Sequence, residues 1–326
     1  MVHPIPTNSR DDQSLFEEIQ GDGRMPIFIT GLALAGSGGF ALFQSFSGHF
    51  LPQDTQALGM DAATLRNVGG NALVGFMFHD RVSFGGVLIG IGTLYGWIAG
   101  FPLRDGEGWA WWALLISGIT GFGSFLAYLG YGYLDTWHGA ATLSLLPVYG
   151  VGVWRTRRLR GRPPWDWLLF WNQLRISSSI SERWGRFLLS SAAIGMTGAG
   201  LVIMGIGMTT VFVPQDLSFI GRTREAICGL NPHLVPVIAH DRAGFGGGLV
   251  SIGLLLWMMA SRARLSRHLA EALGIVGLSG FGTTLGVHVA IGYLNAVHIL
   301  PAILGAIVYG LAWGLLAIHT ISKRTR

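Results

Sequence analysis

His79-Asp80-Arg81 and His240-Asp241-Arg242 set an imidazole, a carboxylate and a guanidinium side by side, twice, in a chain that is half hydrophobic. An imidazole can ligate a metal or carry a proton, a carboxylate can orient it, and a guanidinium can neutralise an anion. Each tripeptide leads into Phe-Gly-Gly, Phe84-Gly85-Gly86 in the first case and Phe245-Gly246-Gly247 in the second. Other polar residues also return about 160 residues later. Phe50-Leu51-Pro52-Gln53-Asp54 recurs as Phe212-Val213-Pro214-Gln215-Asp216, and Gly132-Tyr133-Leu134-Asp135 with His138 recurs as Gly292-Tyr293-Leu294-Asn295 with His298. A duplication that lets apolar side chains drift while keeping histidines and their charged neighbours points to one task performed at two related places.

The elements that must carry these residues are membrane spans. Charged residues make up 12% of the 326, mean hydropathy is +0.49, and several apolar stretches exceed the ~20 residues that cross a hydrocarbon core. The sequence predicts an all-α polytopic membrane protein with about eight transmembrane helices, at 26–49, 83–103, 109–131, 136–154, 187–212, 243–260, 270–293 and 296–320. They form two parallel four-helix repeats. The expected organisation is a cytoplasmic N-terminal segment (1–25), a first repeat (26–155), a basic, Trp-rich interfacial linker (156–186), a second repeat (187–320) and a basic cytoplasmic tail (321–326). Seventeen of the 22 Lys and Arg fall on segments that this topology leaves inside, which places both termini in the cytoplasm and the chain in the inner (cytoplasmic) membrane. It also puts every duplicated polar motif near the outer face. The net charge of +5 is then topogenic and directed at the lipid bilayer, with no nucleic acid implied. The lone cysteine, Cys228, excludes an internal disulfide, a Cys-ligated iron–sulfur cluster and c-type haem attachment.

Two imidazoles from different helices at one depth can grip a metal or a haem iron, and neutral imidazole is the ligand that a low-dielectric site tolerates best. The pairs expected are His79 with His138 and His240 with His298. Arg81 and Arg242 are candidates for neutralising haem propionates or a lipid headgroup, or for pairing with the neighbouring Asp80 and Asp241. A non-haem iron or zinc site would recruit Asp54, Asp80 and Asp135 beside His79 and His138. Pro52 and Pro214 are expected to end spans one and five, with Asp54 and Asp216 otherwise capping the loop helix that follows or reaching the His cluster. His288, inside the seventh span and about three turns from His298 on a continuous helix, either donates to a carbonyl of a neighbouring helix or serves a proton or quinone site. His49, His268 and His319 fall at span ends, and His3 and His233 in loops. The bland alternative for the whole set is an interfacial network in which His, Asp and Arg satisfy one another. The glycines inside the spans, Gly90, Gly92 and Gly96 among them, suit close helix packing.

Eight spans in two parallel units, with a histidine at the outer end of the second and fourth helix of each, resemble the haem A synthase family. The resemblance covers most of the chain in architecture and little of it in sequence. It implies that His79 with His138, and His240 with His298, are axial pairs for b-type haem. The family's acidic residue three positions before the first histidine is Phe76 here and Val237 in the second copy, and its outer-loop cysteine pair is missing. The His-Asp-Arg and Phe-Gly-Gly motif also resembles bacterial membrane proteins of no defined activity. Three functions follow as expectations. The first is a haem-binding redox protein passing electrons to or from quinone or a partner protein. The second is a non-haem metal-dependent enzyme, an oxidoreductase if redox-active, and the third a transporter or structural subunit.

Overall fold

A computed structural model of the chain describes residues 21–127, 136–160 and 179–322. These residues are helical throughout, with no strand among them. The first half holds α1 (Arg24–Phe46), two short helices α2 (Pro52–Leu58) and α3 (Ala62–Gly69), then α4 (Asn71–Gly100), α5 (Gly108–Ala127) and α6 (Thr136–Thr156). The second half repeats the order with α7 (Ile180–Gly207), short α8 (Pro214–Ile220) and α9 (Arg224–Leu230), then α10 (Leu234–Arg262). A third rod follows, α11 (Arg267–Gly277) running through a π-helical turn at Leu278–Gly282 into α12 (Thr283–Ile291), and the last helix is α13 (Ala296–Ser322). Six helices are long and apolar enough to cross a membrane, namely α1, α4, α7, α10, the α11–α12 rod and α13. The protein is therefore a multi-pass, all-helical membrane protein. The helices α5 and α6 adjoin residues 128–135, which lie outside the described set.

The local signals explain where the elements start and stop. Pro52 and Pro214 occupy first-turn positions, where the missing N–H costs nothing, and Gly59 and Gly221 close the same helices at φ of 63° and 70°. Asp61, Ser179, Thr223 and Ser266 cap the helices after them by accepting a backbone N–H. The main departure from expectation is at α4 and α10. They begin at Asn71 and Leu234, well before the spans expected at 83 and 243, so the two His-Asp-Arg motifs lie inside helices and not at their outer ends. Hydropathy misplaces those boundaries because it penalises charges that the fold neutralises in pairs.

The two halves are interlocked. Helices α4 and α10 run through the centre, buried along most of their length, while the other spans present most of their surface outward. Each central helix packs on the first helix of its own half, α1 on α4 and α7 on α10, and on the third rod of the other half, so that α5 lies on α10 and α11–α12 on α4. The repeated glycine pair makes both approaches. Gly85 meets the backbone of Gly38 on α1 and Gly246 that of Gly200 on α7. Gly86 meets Ser279 and Thr283 at the π-turn, and Gly247 meets Ser124 on α5. A Cβ at any of these four would collide with a neighbour, as expected where helix backbones touch. At one end the short helices form a roof. Leu58, Leu65, Ile220 and Ile227 from them bury against Phe76, Val237 and Ile238 of the central helices, with Phe212 and Tyr293.

Candidate metal centre

Beneath that roof the two His-Asp-Arg motifs exchange partners. The Arg81 guanidinium donates from Nη2 to Asp241 Oδ2 at 2.6 Å, and that of Arg242 donates from Nε to Asp80 Oδ2 at 3.1 Å. Each arginine also reaches the aspartate of a short roof helix in its own half, Arg81 to Asp54 and Arg242 to Asp216. Arg242 takes the Val211 carbonyl at 2.8 Å as well, and Val211 is a β-branched residue at φ 67°, a conformation held only where surroundings enforce it. All six charged residues are at most 4% exposed. Among the described residues, four buried carboxylates thus gather around two buried guanidiniums. Carboxylates gathered so densely in a low-dielectric interior favour protons or cations close by.

The histidines supply the place for one. His79 holds Asp80 Oδ1 through Nδ1 at 2.9 Å, and His240 holds Asp241 Oδ1 in the same way at 3.1 Å. His288 gives its Nδ1 to the Thr284 carbonyl, one turn back on its own helix, at 2.7 Å. A carboxylate and a carbonyl only accept, so the Nδ1 atoms of His79 and His288 carry the protons and their Nε2 atoms present lone pairs. Those two Nε2 atoms lie 3.0 Å apart. With both rings neutral the two lone pairs repel, so the contact calls for a shared proton or a cation. His298 completes the group, its ring 5.6 Å from that of His79 and 5.3 Å from that of His288, with one ligand atom from each of the three within 4.8 Å of the others. Asp216 lies 3.9 Å from His298 Nδ1 and accepts from the Tyr293 hydroxyl at 2.7 Å, while the Tyr293 ring stacks on His298.

The structure thus gathers His79 and His298, but across the halves and with a third histidine. The expected partnership of His240 with His298 is replaced, because α12 docks on α4 and the turn at Gly292, φ 75°, swings the first turn of α13 over the same place. That turn also corrects the placing of His288, which does not sit three turns along a continuous helix from His298, and its Nδ1 meets the Thr284 carbonyl of its own helix and not a carbonyl of a neighbouring one. His138 lies in the first turn of α6, and its side chain, like Asp135, is outside the described residues. Arg81 pairs not with neighbouring Asp80 but with Asp54 and Asp241, and Arg242 not with neighbouring Asp241 but with Asp216 and Asp80. Asp54 and Asp216 reach that network, and Asp216 also accepts the Val213 N–H at its helix start. Elsewhere His319 is buried against Ser179 and Glu182 and not exposed at an interface. The contact of His288 with His79, and that of Tyr293 with His298 and Asp216, were not foreseen from the sequence. Their signal was the glycine between His288 and His298, together with the loss of symmetry that puts Tyr128 where the first half would need a matching histidine.

No protein family, curated protein or solved structure matches this chain.

Proposed function

We propose that this chain is an integral-membrane metalloprotein of eight spans in two parallel four-helix repeats, in which His79, His288 and His298 hold one non-haem iron or zinc ion near the outer face. The observation that carries this reading is the pair of Nε2 atoms 3.0 Å apart, each on a ring whose Nδ1 is engaged by an acceptor, in a site lined by buried carboxylates. A shared proton would hold those two rings together but leave His298 outside the contact. A divalent ion engages all three imidazoles. Bonds of about 2.0–2.1 Å to imidazole nitrogen suit a separation of this size, and three neutral imidazoles with a further position left over are the ligand set of catalytic rather than structural ions. Asp80 and the Thr284 carbonyl fix the ring orientations from behind, as second partners of metal-bound histidines do. Bound there, such an ion supplies Lewis-acid chemistry, and one-electron chemistry if it is iron.

A b-type haem, as the resemblance to haem A synthases implies, needs axial nitrogens about 4 Å apart on opposite sides of a flat ring, twice the usual metal–imidazole distance. On the coordinating side of His79 the His288 nitrogen already stands at 3.0 Å. The single ion is the better fit to these residues. The membrane orientation rests on the basic residues Arg155, Arg157, Arg158, Arg160, Arg262, Arg264 and Arg267, which cluster at the end of the bundle away from the histidines.

Elemental analysis of the purified protein, read with its absorbance spectrum, tests the proposal. About one equivalent of metal per chain, lost in both His79→Ala and His288→Ala and kept in His138→Ala, is expected from the three-ligand site. Full metal content in His288→Ala would overturn it, and a Soret band lost in His138→Ala would put haem in its place.

A further inference from the structure

We infer that this site opens sideways into the lipid and serves a membrane-soluble amphiphile, whose polar end reaches the ion at headgroup level while its apolar part stays in the bilayer. The inference rests on the metal reading above. Access from the water side is closed among the described residues, because the roof helices seal the end of the bundle with Leu58, Leu65, Ile220 and Ile227. Access from the interior is closed by the ion pairs of α4 and α10, all at most 4% exposed. Of the three ligands, His79 and His288 are each 3% exposed. The side chain of His298 is 21% exposed. It sits in the first turn of α13, a helix that shows most of its surface outward, and exposed apolar residues flank it along the chain at Leu294, Val297 and Leu300. Val289, near the end of α12, is exposed as well. Within residues 294–300 the exposed polar side chain is Asn295, which accepts the His298 backbone N–H.

A water-borne substrate would need a polar mouth. The exposed chain around part-exposed His298, residues 294–300, is aliphatic with a single amide, which matches a molecule with a small polar head and a hydrocarbon body. A ligand arriving by this route would reach His298 first, with the Tyr293 ring stacked on it and the Tyr293 hydroxyl bonded to Asp216.

The test uses the full chain in lipid nanodiscs, loaded with Cu²⁺ as a paramagnetic reporter of the three-histidine site. Relaxation of a nitroxide is then read from three probes: a lipid labelled next to its headgroup, a lipid labelled at the chain end, and a water-soluble nitroxide. The inference expects the headgroup-level lipid label to be relaxed most strongly. It also expects that enhancement to be lost in Val297→Trp with copper content unchanged, and Leu294→Trp provides a second blocked rim. Stronger relaxation of the water-soluble probe, or no change in either tryptophan variant, would overturn lateral access while leaving the metal site in place. Absence of copper from the wild-type chain, or copper retained in His298→Ala, would instead bring down the metal reading and this inference together.

Discussion

At the scale of single residues the chemistry turns on where protons are committed. Asp80 does two things at once: Oδ1 accepts from His79 Nδ1 and Oδ2 accepts from Arg242 Nε. It therefore couples the proposed ligand to the partner half. Asp80→Asn would leave His79 with an amide partner and free to present the wrong nitrogen, so metal affinity is expected to fall about 10–100-fold, the usual cost of losing such a partner, as measured by competition with a chelator. The arginines act differently. Removing one guanidinium leaves carboxylates buried without their counter-ion, and Arg81→Met is expected to cost about 3–5 kcal/mol in an unfolding measurement. Arg81→Lys would recover part of that stability, because a single ammonium cannot span Asp54 and Asp241 as the planar fork does. The motif itself was legible in the sequence, as a triplet written twice. Its partners were not, because adjacency along a helix suggested that Arg81 would turn to Asp80, whereas successive helical positions point to different faces.

At the scale of elements, two devices bring the histidines together. One is the glycine pair that lets α4 touch α1 on one side and the π-turn of the third rod on the other. The π-turn interrupts regular helix between α11 and α12, a break often found beside functional sites, and here it lies one to two turns before His288. A side chain at Gly86 would push the rod away and carry His288 with it. Gly86→Val is expected to destabilise the fold by about 1–3 kcal/mol and also to weaken metal binding. Gly100, with open space around its Cβ position, is the control: Gly100→Ala should leave metal content unchanged. The second device is the Gly292 turn, which brings His298 back over His288. Gly292→Val should strain that turn, since a β-branched residue resists positive φ, and metal content in the purified variant should drop.

At the scale of the whole molecule, duplication has produced an interlocked pair and not two independent units. The third rod of each half packs on the central helix of the other, and the proposed ligands come from both halves, His79 from the first and His288 and His298 from the second. A chain divided between residues 160 and 179 tests this directly. Neither half expressed alone should retain metal, while the two halves expressed together should recover it. Metal bound by the second half alone would mean that His79 is dispensable. The two copies are also unequal in sequence, Tyr128 corresponding to His288 and Asp135 to Asn295, so a single loaded centre per chain is the expected stoichiometry.

Composition and repetition alone determined that this is an all-helical membrane protein and that its polar residues belong to a duplicated motif near one end of the bundle. Those properties are written in local hydropathy and in direct self-comparison, and need no knowledge of which helix meets which. Which imidazoles meet was decided only by tertiary structure. Hydropathy treats every charge as a penalty, and so it trimmed α4 and α10 back to where the charges stop. Paired across the two halves, those same charges become part of the buried centre. The partner of His79 lies 209 residues away along the chain, reached through helix packing that no spacing rule encodes.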